Sequence, residues 1–404
     1  MNFKNKKLYV ESVGAIKIAN KFGTPCYCYS LNKLKKNIQN FKNNFNSINP
    51  LICFSVKSNS NLQILKEIKK SGIGADVVSK GELMIALKAG ISPKKIVFSG
   101  IGKTFNEIKF AVEKNILLIN AESGSEVKEI EKVAKSKKKK INIGLRLNPN
   151  IDARTLKKIS TGKNEDKFGL TELNFLKILK KFKKSKYLRI KCLSVHIGSQ
   201  ITDYKPYAKM INVIQNTIKK SNFKFNFIDL GGGMGIKHNN KSKSLNYKKY
   251  NLLIKKFLSK NDVKIIFEPG RSIIADTAIL LTKIIYIKET KKKYFIILDA
   301  AMNDFMRPAL YSSIHHIIPL KKNNRVIKKI HDFVGPICES TDKFLSLKKY
   351  QKLKEREILA IRDVGAYGMV LSSNYNLRTK PSEVLVDKFH LKEILKRQKL
   401  NNII

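Results

Sequence analysis

The sequence predicts an α/β protein: a closed, eight-stranded parallel barrel of the TIM type followed by a second, mainly β domain. Three observations carry that prediction. From Leu51 onward one theme repeats, an apolar strand, a polar or glycine turn and an amphipathic helix. Each apolar run ends in residues able to do chemistry rather than in ordinary turn formers alone. After Ile273 the helices stop and strand patterns continue alone, which marks a separate β unit.

The elements follow in order. Thr24-Pro-Cys-Tyr-Cys-Tyr-Ser30 alternates aromatic and cysteine residues and reads as a strand, and the patterned helix Leu31–Phe45 follows it. Eight strands are expected at Leu51–Val56, Ala75–Val78, Lys95–Phe98, Leu117–Asn120, Asn142–Leu147, Cys192–His196, Phe225–Leu230 and Val263–Phe267. Helical patterns lie between them, for example Asn61–Lys70, Phe105–Lys114 and Tyr207–Lys220. Later strands are expected at Ile279–Ile287, Tyr294–Leu298, Arg325–Val334, Ile358–Val364 and Val384–Val386, and the tail, Lys388–Ile404, reads as a short basic helix. The expected division is residues 1–30, joining the β domain; 31–275, the barrel; and 276–404, the β domain.

Composition narrows the class. The 404 residues suffice for two domains with a large core. No apolar run reaches the ~18 residues of a membrane span, and Met1–Ser12 lacks the apolar stretch of a secretion signal. Five scattered cysteines show neither disulfide-framework nor zinc spacing, so no metal site is expected and a reduced, cytoplasmic location is. The net charge is +50, yet only ten of the 81 basic residues are arginine, leaving 71 lysines spread along the chain beside abundant asparagine and isoleucine. This reads as a drift of solvated positions toward lysine, with no specific nucleic-acid site and no membrane partner expected. Where arginine survives in so lysine-rich a sequence, its planar fork is expected to matter.

The predicted carboxyl ends of the strands carry the site. They present Lys57, Asp76 with Ser79, Ser99-Gly100, Glu122-Ser123 and Arg146 with Asn148, then His196-Ile-Gly-Ser-Gln200, Gly231-Gly-Gly233 and Glu268-Pro-Gly-Arg271. In such barrels active sites gather at this end. A lysine at the end of a buried strand loses hydration, which favours the free amine and makes it a nucleophile. Three consecutive glycines let the backbone approach a ligand and aim N–H groups at a phosphate. His196, before Gly198-Ser199, suits a flat stacking partner.

This ordered set resembles the fold-III pyridoxal-phosphate decarboxylases, the diaminopimelate decarboxylase family most closely, from about Tyr9 to Asp387. The resemblance is carried by Phe54-Ser-Val-Lys-Ser-Asn59, Gly74-Ala-Asp-Val-Val-Ser79 with Gly81-Glu-Leu83, His196-Ile-Gly-Ser-Gln200 and Gly231-Gly-Gly233. It continues in Glu268-Pro-Gly-Arg271, Cys338-Glu-Ser340 and Gly365-Ala-Tyr367. Lys80 and Ala301 stand where glycine is usual. The resemblance implies an alanine racemase-like fold III and pyridoxal 5'-phosphate as cofactor, held covalently by Lys57. It places His196 on the ring, Glu268 at the ring nitrogen, and Ser199, Gly232, Gly233, Pro269, Gly270, Arg271 and Tyr367 around the cofactor, Arg271 and Tyr367 also reaching substrate. It implies Cys338 as the acid that reprotonates Cα, entering from the partner of a homodimer with shared active sites. Arg307, Tyr311 and Glu339 are implied to bind the far amino-acid head of meso-2,6-diaminopimelate. The implied reaction is its decarboxylation to L-lysine and CO2, the last step of lysine biosynthesis; the alternative is decarboxylation of another basic amino acid or of carboxynorspermidine. Glu268 argues for decarboxylation, because a carboxylate keeps the ring nitrogen protonated, whereas the arginine of the related racemases weakens the electron sink.

Overall fold

The computed structural model describes residues 1–155, 157–237 and 244–404. The chain divides into two units, one holding Met1–Ile38 and Ile273–Ile404, the other Gln39–Lys237 and residues 244–272.

The second of these contains the closed parallel barrel. Its strands are Leu51–Ser55, Gly74–Val77, Ile96–Phe98, Leu118–Ala121, Ile141–Arg146, Leu188–Ser194, Phe227–Asp229 and Lys264–Phe267, all eight within a few residues of their expected places except for an earlier start to the sixth. They run in sequence order around the barrel, and the last closes on the first through Ile266 opposite Leu51 and Phe267 opposite Ile52. Cys53, Val97, Leu118, Cys192 and Ile266, from five different strands, form one buried apolar cluster. The outer helices start where the sequence supplies caps. Ser79, Thr104 and Ser123 each accept the N–H of a glutamate three residues on, and Thr104 with Glu107 completes a capping box. Phe41 and Phe45 pack against Phe267 at the closing seam, the Phe45 and Phe267 ring centres 4.5 Å apart.

The first unit is built on a mixed sheet. The long strand Ala278–Glu289 pairs over its first half with Cys26–Ser30 and with Ile358–Arg362, and over its second half with Lys293–Leu298, the register shifting between Ile284 and Tyr286. The strand near Tyr27 therefore belongs to this sheet, as expected from the sequence. Its core joins Leu8, Val10 and Val13 to Cys26, Cys28, Ile279, Leu281, Val384 and Val386. Two expectations fail here. The tail forms no basic α-helix: His390–Leu395 is a strand paired antiparallel with Ser382–Asp387 across a Lys388-Phe389 turn, followed by a short 3-10 turn. The run Arg325–Val334 is broken at Lys328-Lys329 into Val326–Ile327, which pairs with Tyr350–Gln351, and Ile330–Val334, which joins the main sheet.

Candidate active site

Lys57 lies just beyond the first barrel strand, which ends at Ser55 and passes into a 3-10 turn, Val56–Ser58. Its Nζ is 2.7 Å from Oδ2 of Asp76, a fully buried residue of the second strand. The lysine side chain is 33% exposed, so the desolvated amine expected from the sequence is not the arrangement found. An ion pair to a buried carboxylate holds and aims it instead. Ser55 Oγ donates to the Glu268 carbonyl oxygen (2.8 Å) and lies 3.1 Å from Asp76 Oδ2, tying the first, second and eighth strand ends together.

Deeper in the barrel, Asp229 and Glu268 form a buried acid pair. Asp229 Oδ1 accepts the Gly231 N–H at 2.9 Å, and Oδ2 accepts from Asn120 Nδ2 at 3.0 Å and Ser194 Oγ at 3.1 Å. Glu268 Oε1 accepts from Ser99 Oγ at 3.2 Å. Burial pushes the Glu268 carboxyl well above the usual range, helped by the negative charges of Asp229 and Asp76 and opposed by Lys57. Three donors to Asp229 favour a negative charge there, while burial favours the protonated form of Glu268.

His196 stands two residues past the sixth strand rather than within it. Burial, with Arg146 and Lys57 adding to it, holds the imidazole well below its usual pKa, so the ring is neutral. The Gly232 N–H donates to Nδ1 at 3.2 Å, which leaves the ring proton on Nε2. Arg146 donates to Glu122 at 2.8 Å and to the His196 carbonyl oxygen at 3.4 Å, bracing the loop from below. The glycines owe their identity to chain packing as much as to any ligand. A Cβ on Gly232 would sit 2.1 Å from the Glu268 carbonyl oxygen, and one on Gly233, at φ +86°, 2.2 Å from that of Gly198. Gly270 is similarly crowded by Ser58, and the Pro269 carbonyl oxygen accepts the Ser55 N–H. Arg271 is buried and donates through Nη2 to Ser199 Oγ at 3.1 Å.

The remaining candidates lie in the β-rich unit. Arg307, Tyr311 and Tyr367 come together there, the guanidinium carbon 5.6 Å from the Tyr311 ring centre and 6.0 Å from that of Tyr367. Cys338 and Glu339 are exposed. Their loop is held by buried Asp342, whose carboxylate accepts the N–H groups of Met302 (2.7 Å) and Ile337 (2.8 Å). Glu339 accepts from Thr341 and from the Tyr375 hydroxyl.

The barrel residues fit a pyridoxal phosphate. A rim amine can bond its aldehyde, a neutral flat imidazole suits its ring face, and a buried acid that holds a proton suits a basic ring nitrogen. Arg271 with Ser199 suits its phosphate. Asp76, Ser99 and Asp229 lie at or near strand ends, but only their contacts in the fold give them roles, as with His315 and Asp342. The aspartate before the glycine run was the available sign of Asp229; nothing marked His315 or Asp342.

Comparison with known proteins agrees with this chemistry. The family model for the pyridoxal binding domain of pyridoxal-dependent decarboxylases matches residues 31–275. Diaminopimelate decarboxylase of Aquifex aeolicus is 38% identical over 408 residues, covering 100% of this chain and 96% of that protein. The crystal structure of diaminopimelate decarboxylase from Helicobacter pylori complexed with L-lysine superposes with a TM-score of 0.91 at 39% identity, over 96% of this chain and 98% of that one. The structure from M. jannaschii, also in complex with L-lysine, gives 0.94 at 34% identity, over 100% and 96%. The chain belongs to the diaminopimelate decarboxylase family of pyridoxal-dependent decarboxylases.

Proposed function

We propose that this chain decarboxylates meso-2,6-diaminopimelate to L-lysine and CO2, with Lys57 as the cofactor lysine, His196 against the cofactor ring and Glu268 at the ring nitrogen. The observation that carries this reading is the buried acid pair of Glu268 and Asp229 at the strand ends that also bear Lys57 and His196, with burial raising the Glu268 carboxyl. Pyridoxal phosphate, when bound, supplies a protonated ring that accepts the electron pair left at Cα as CO2 departs.

The chain's own residues do the rest. Glu268 would face a basic ring nitrogen and favour its protonated form, a pairing that low polarity would strengthen. Asp229 keeps Glu268 oriented in that pairing. Asp76 aims the Lys57 amine, which would hold the cofactor through its aldehyde. His196, neutral and with Nδ1 engaged by Gly232, offers a flat face without adding positive charge beside the ring. Ser199, Gly232, Gly233, Pro269, Gly270 and Arg271, with Tyr367, line the cofactor and phosphate. Arg307, Tyr311 and Glu339 take the far carboxylate and ammonium of the substrate, a carboxylate suiting the guanidinium fork. Cys338 returns a proton to Cα.

Residues 31–275 act as the cofactor domain in this reading, with residues 1–30 and 276–404 supplying the substrate-selecting loops. The exposure of Cys338 and Glu339 in the single chain supports a homodimer in which that loop serves the neighbouring site. The five free thiols suit the reducing cytoplasm, and among the described residues no helix is long and apolar enough to cross a membrane. The test is a visible absorption spectrum of the purified protein beside a decarboxylation assay on diaminopimelate, lysine, ornithine and arginine. A cofactor band with turnover of diaminopimelate over the others is expected. Preference for lysine or ornithine would overturn the substrate assignment.

A further inference from the structure

Arg307 opens the short helix Arg307–Tyr311 and is 6% exposed despite its charge. Its Nε–H points at Nε2 of His315, 3.3 Å away. His315 is 1% exposed, and its other ring nitrogen, Nδ1, lies 2.9 Å from the Arg362 carbonyl oxygen. Phe305 packs edge-on against the imidazole, the ring centres 4.6 Å apart. The chain returns to bring His315 to Arg307 because Ser312, at φ +52°, ends the helix in the left-handed conformation.

Elementary hydrogen-bond chemistry sets the state of this imidazole. A carbonyl oxygen only accepts, so Nδ1 carries the proton; a guanidinium N–H only donates, so Nε2 offers its lone pair. Arg362 ends the strand Ile358–Arg362, which pairs along Ala278–Glu289. The imidazole thus links a sheet strand to the guanidinium. Tyr311 and Tyr367 lie close to the guanidinium, but ring contacts do not fix its rotation within its own plane. A hydrogen bond at Nε does, and a two-pronged match to a carboxylate requires that rotation to be fixed.

We propose that His315 is a positioning residue for substrate selection: through Nε2 it locks the orientation of Arg307, so that the guanidinium meets the carboxylate the substrate keeps with a fixed fork. This rests on the reading of Arg307 as the distal carboxylate clamp. Without His315 the charge of Arg307 persists but the hydrogen bond that fixes its rotation at Nε is lost. Affinity for carboxylate-bearing ligands then falls, while the reacting end of the substrate is untouched.

The test uses the holoenzyme with His315→Leu and His315→Gln. Glutamine can accept from Arg307 through Oε1 and donate to Arg362 through Nε2, so it should restore much of what leucine loses. Turnover is measured on diaminopimelate, with inhibition by L-lysine, which retains a carboxylate, and by cadaverine, which has none. His315→Leu is expected to raise both the KM for diaminopimelate and the lysine inhibition constant roughly ten-fold, with kcat falling less than about three-fold and cadaverine inhibition unmoved. His315→Gln should recover most of the loss. If the leucine variant fails to fold, His315→Ala with added imidazole gives the same comparison, and recovery of KM on adding imidazole is the expected result. A fall in kcat alone, or equal weakening of lysine and cadaverine, overturns the proposal. Arg307→Ala separates the two levels. If it leaves KM and lysine inhibition unchanged, the clamp reading fails and this inference with it; if it raises both while the His315 variants do not, only the role of His315 fails.

Discussion

Replacing Lys103 by methionine should unsettle the carboxyl-end rim of the barrel, although Lys103 contacts no reacting group. Its side chain is 1% exposed, and Nζ donates to Glu126 Oε1 and to the carbonyl oxygens of Gly100 and Asn120. Methionine keeps most of the length and removes the charge. Glu126 would then be buried without its counter-charge, a loss of about 3–5 kcal/mol. The two orphaned carbonyls add about 1 kcal/mol each at most, overlapping with that figure. Glu126→Gln alone strands the ammonium and should cost a similar amount. Removing both charges together removes the stranded ion, so the double variant should be less destabilised than the two singles added, by about 2–3 kcal/mol. The assay is urea unfolding followed by circular dichroism at pH 8, where a stranded Glu126 cannot cheaply take a proton. Cofactor affinity should fall too, because Asn120 donates to Asp229 and Ser99, and Ser99 to Glu268. Single-variant losses under about 1 kcal/mol, or strict additivity, would refute the view of this pair as a buried brace.

The other predictions bear on chemistry, pH and assembly. Lys57→Ala should abolish the visible cofactor band and nearly all turnover; a borohydride-reducible cofactor link surviving in the variant would move the assignment elsewhere. Burial raises the Asp304 carboxyl to about 7, so the folded state binds a proton the unfolded state has released, and stability is lost as pH climbs from the ordinary carboxylate range to about 7. Unfolding measured from pH 4 to 8 should show Asp304→Asn gaining on wild type by up to about 4 kcal/mol over that window and holding level above it; a constant difference would contradict this. Refolding Lys57→Ala and Cys338→Ala chains together should recover about a quarter of wild-type activity if the sites are shared, since half the dimers are hybrids with one intact site of two. No recovery, with hybrids confirmed by mass, would place Cys338 in its own subunit's site.

The barrel was legible because each strand is a short apolar run that stops at polar residues, a pattern that survives heavy lysine substitution on the surface. Strand limits were less so. The sixth strand begins at Leu188, earlier than read, because exposed Arg189 and half-buried Lys191 interrupt its apolar signal; it stops at Ser194, short of His196. The tail misled for a similar reason. His390-Leu-Lys-Glu-Ile-Leu395 carries basic residues compatible with a helix end, and only its pairing with Ser382–Asp387 decides for a strand. In the site, residues at strand ends could be named, but not whom they bond. Asp76 meets Lys57 and Asp229 meets Glu268 across the ends of neighbouring strands, and His315 meets Arg307 through one left-handed residue. Those contacts arise in three dimensions and leave no spacing to read.

The pattern of arginines links composition to chemistry. Arg146, Arg271 and Arg307 are the buried arginines among the described residues, and each is held by a directed contact of its own. Arg146 spans Glu122 and the His196 carbonyl, Arg271 reaches Ser199, and Arg307 is held by His315. Each uses a directed N–H of a planar group, which an ammonium on a flexible stem does not reproduce. At solvated positions no such geometry is required, and there lysine predominates. At physiological ionic strength a solvated charge acts over only about 8 Å. The buried acids Asp229 and Glu268 therefore answer to their own donors and to Lys57, and the excess of +50 leaves that pair under local control.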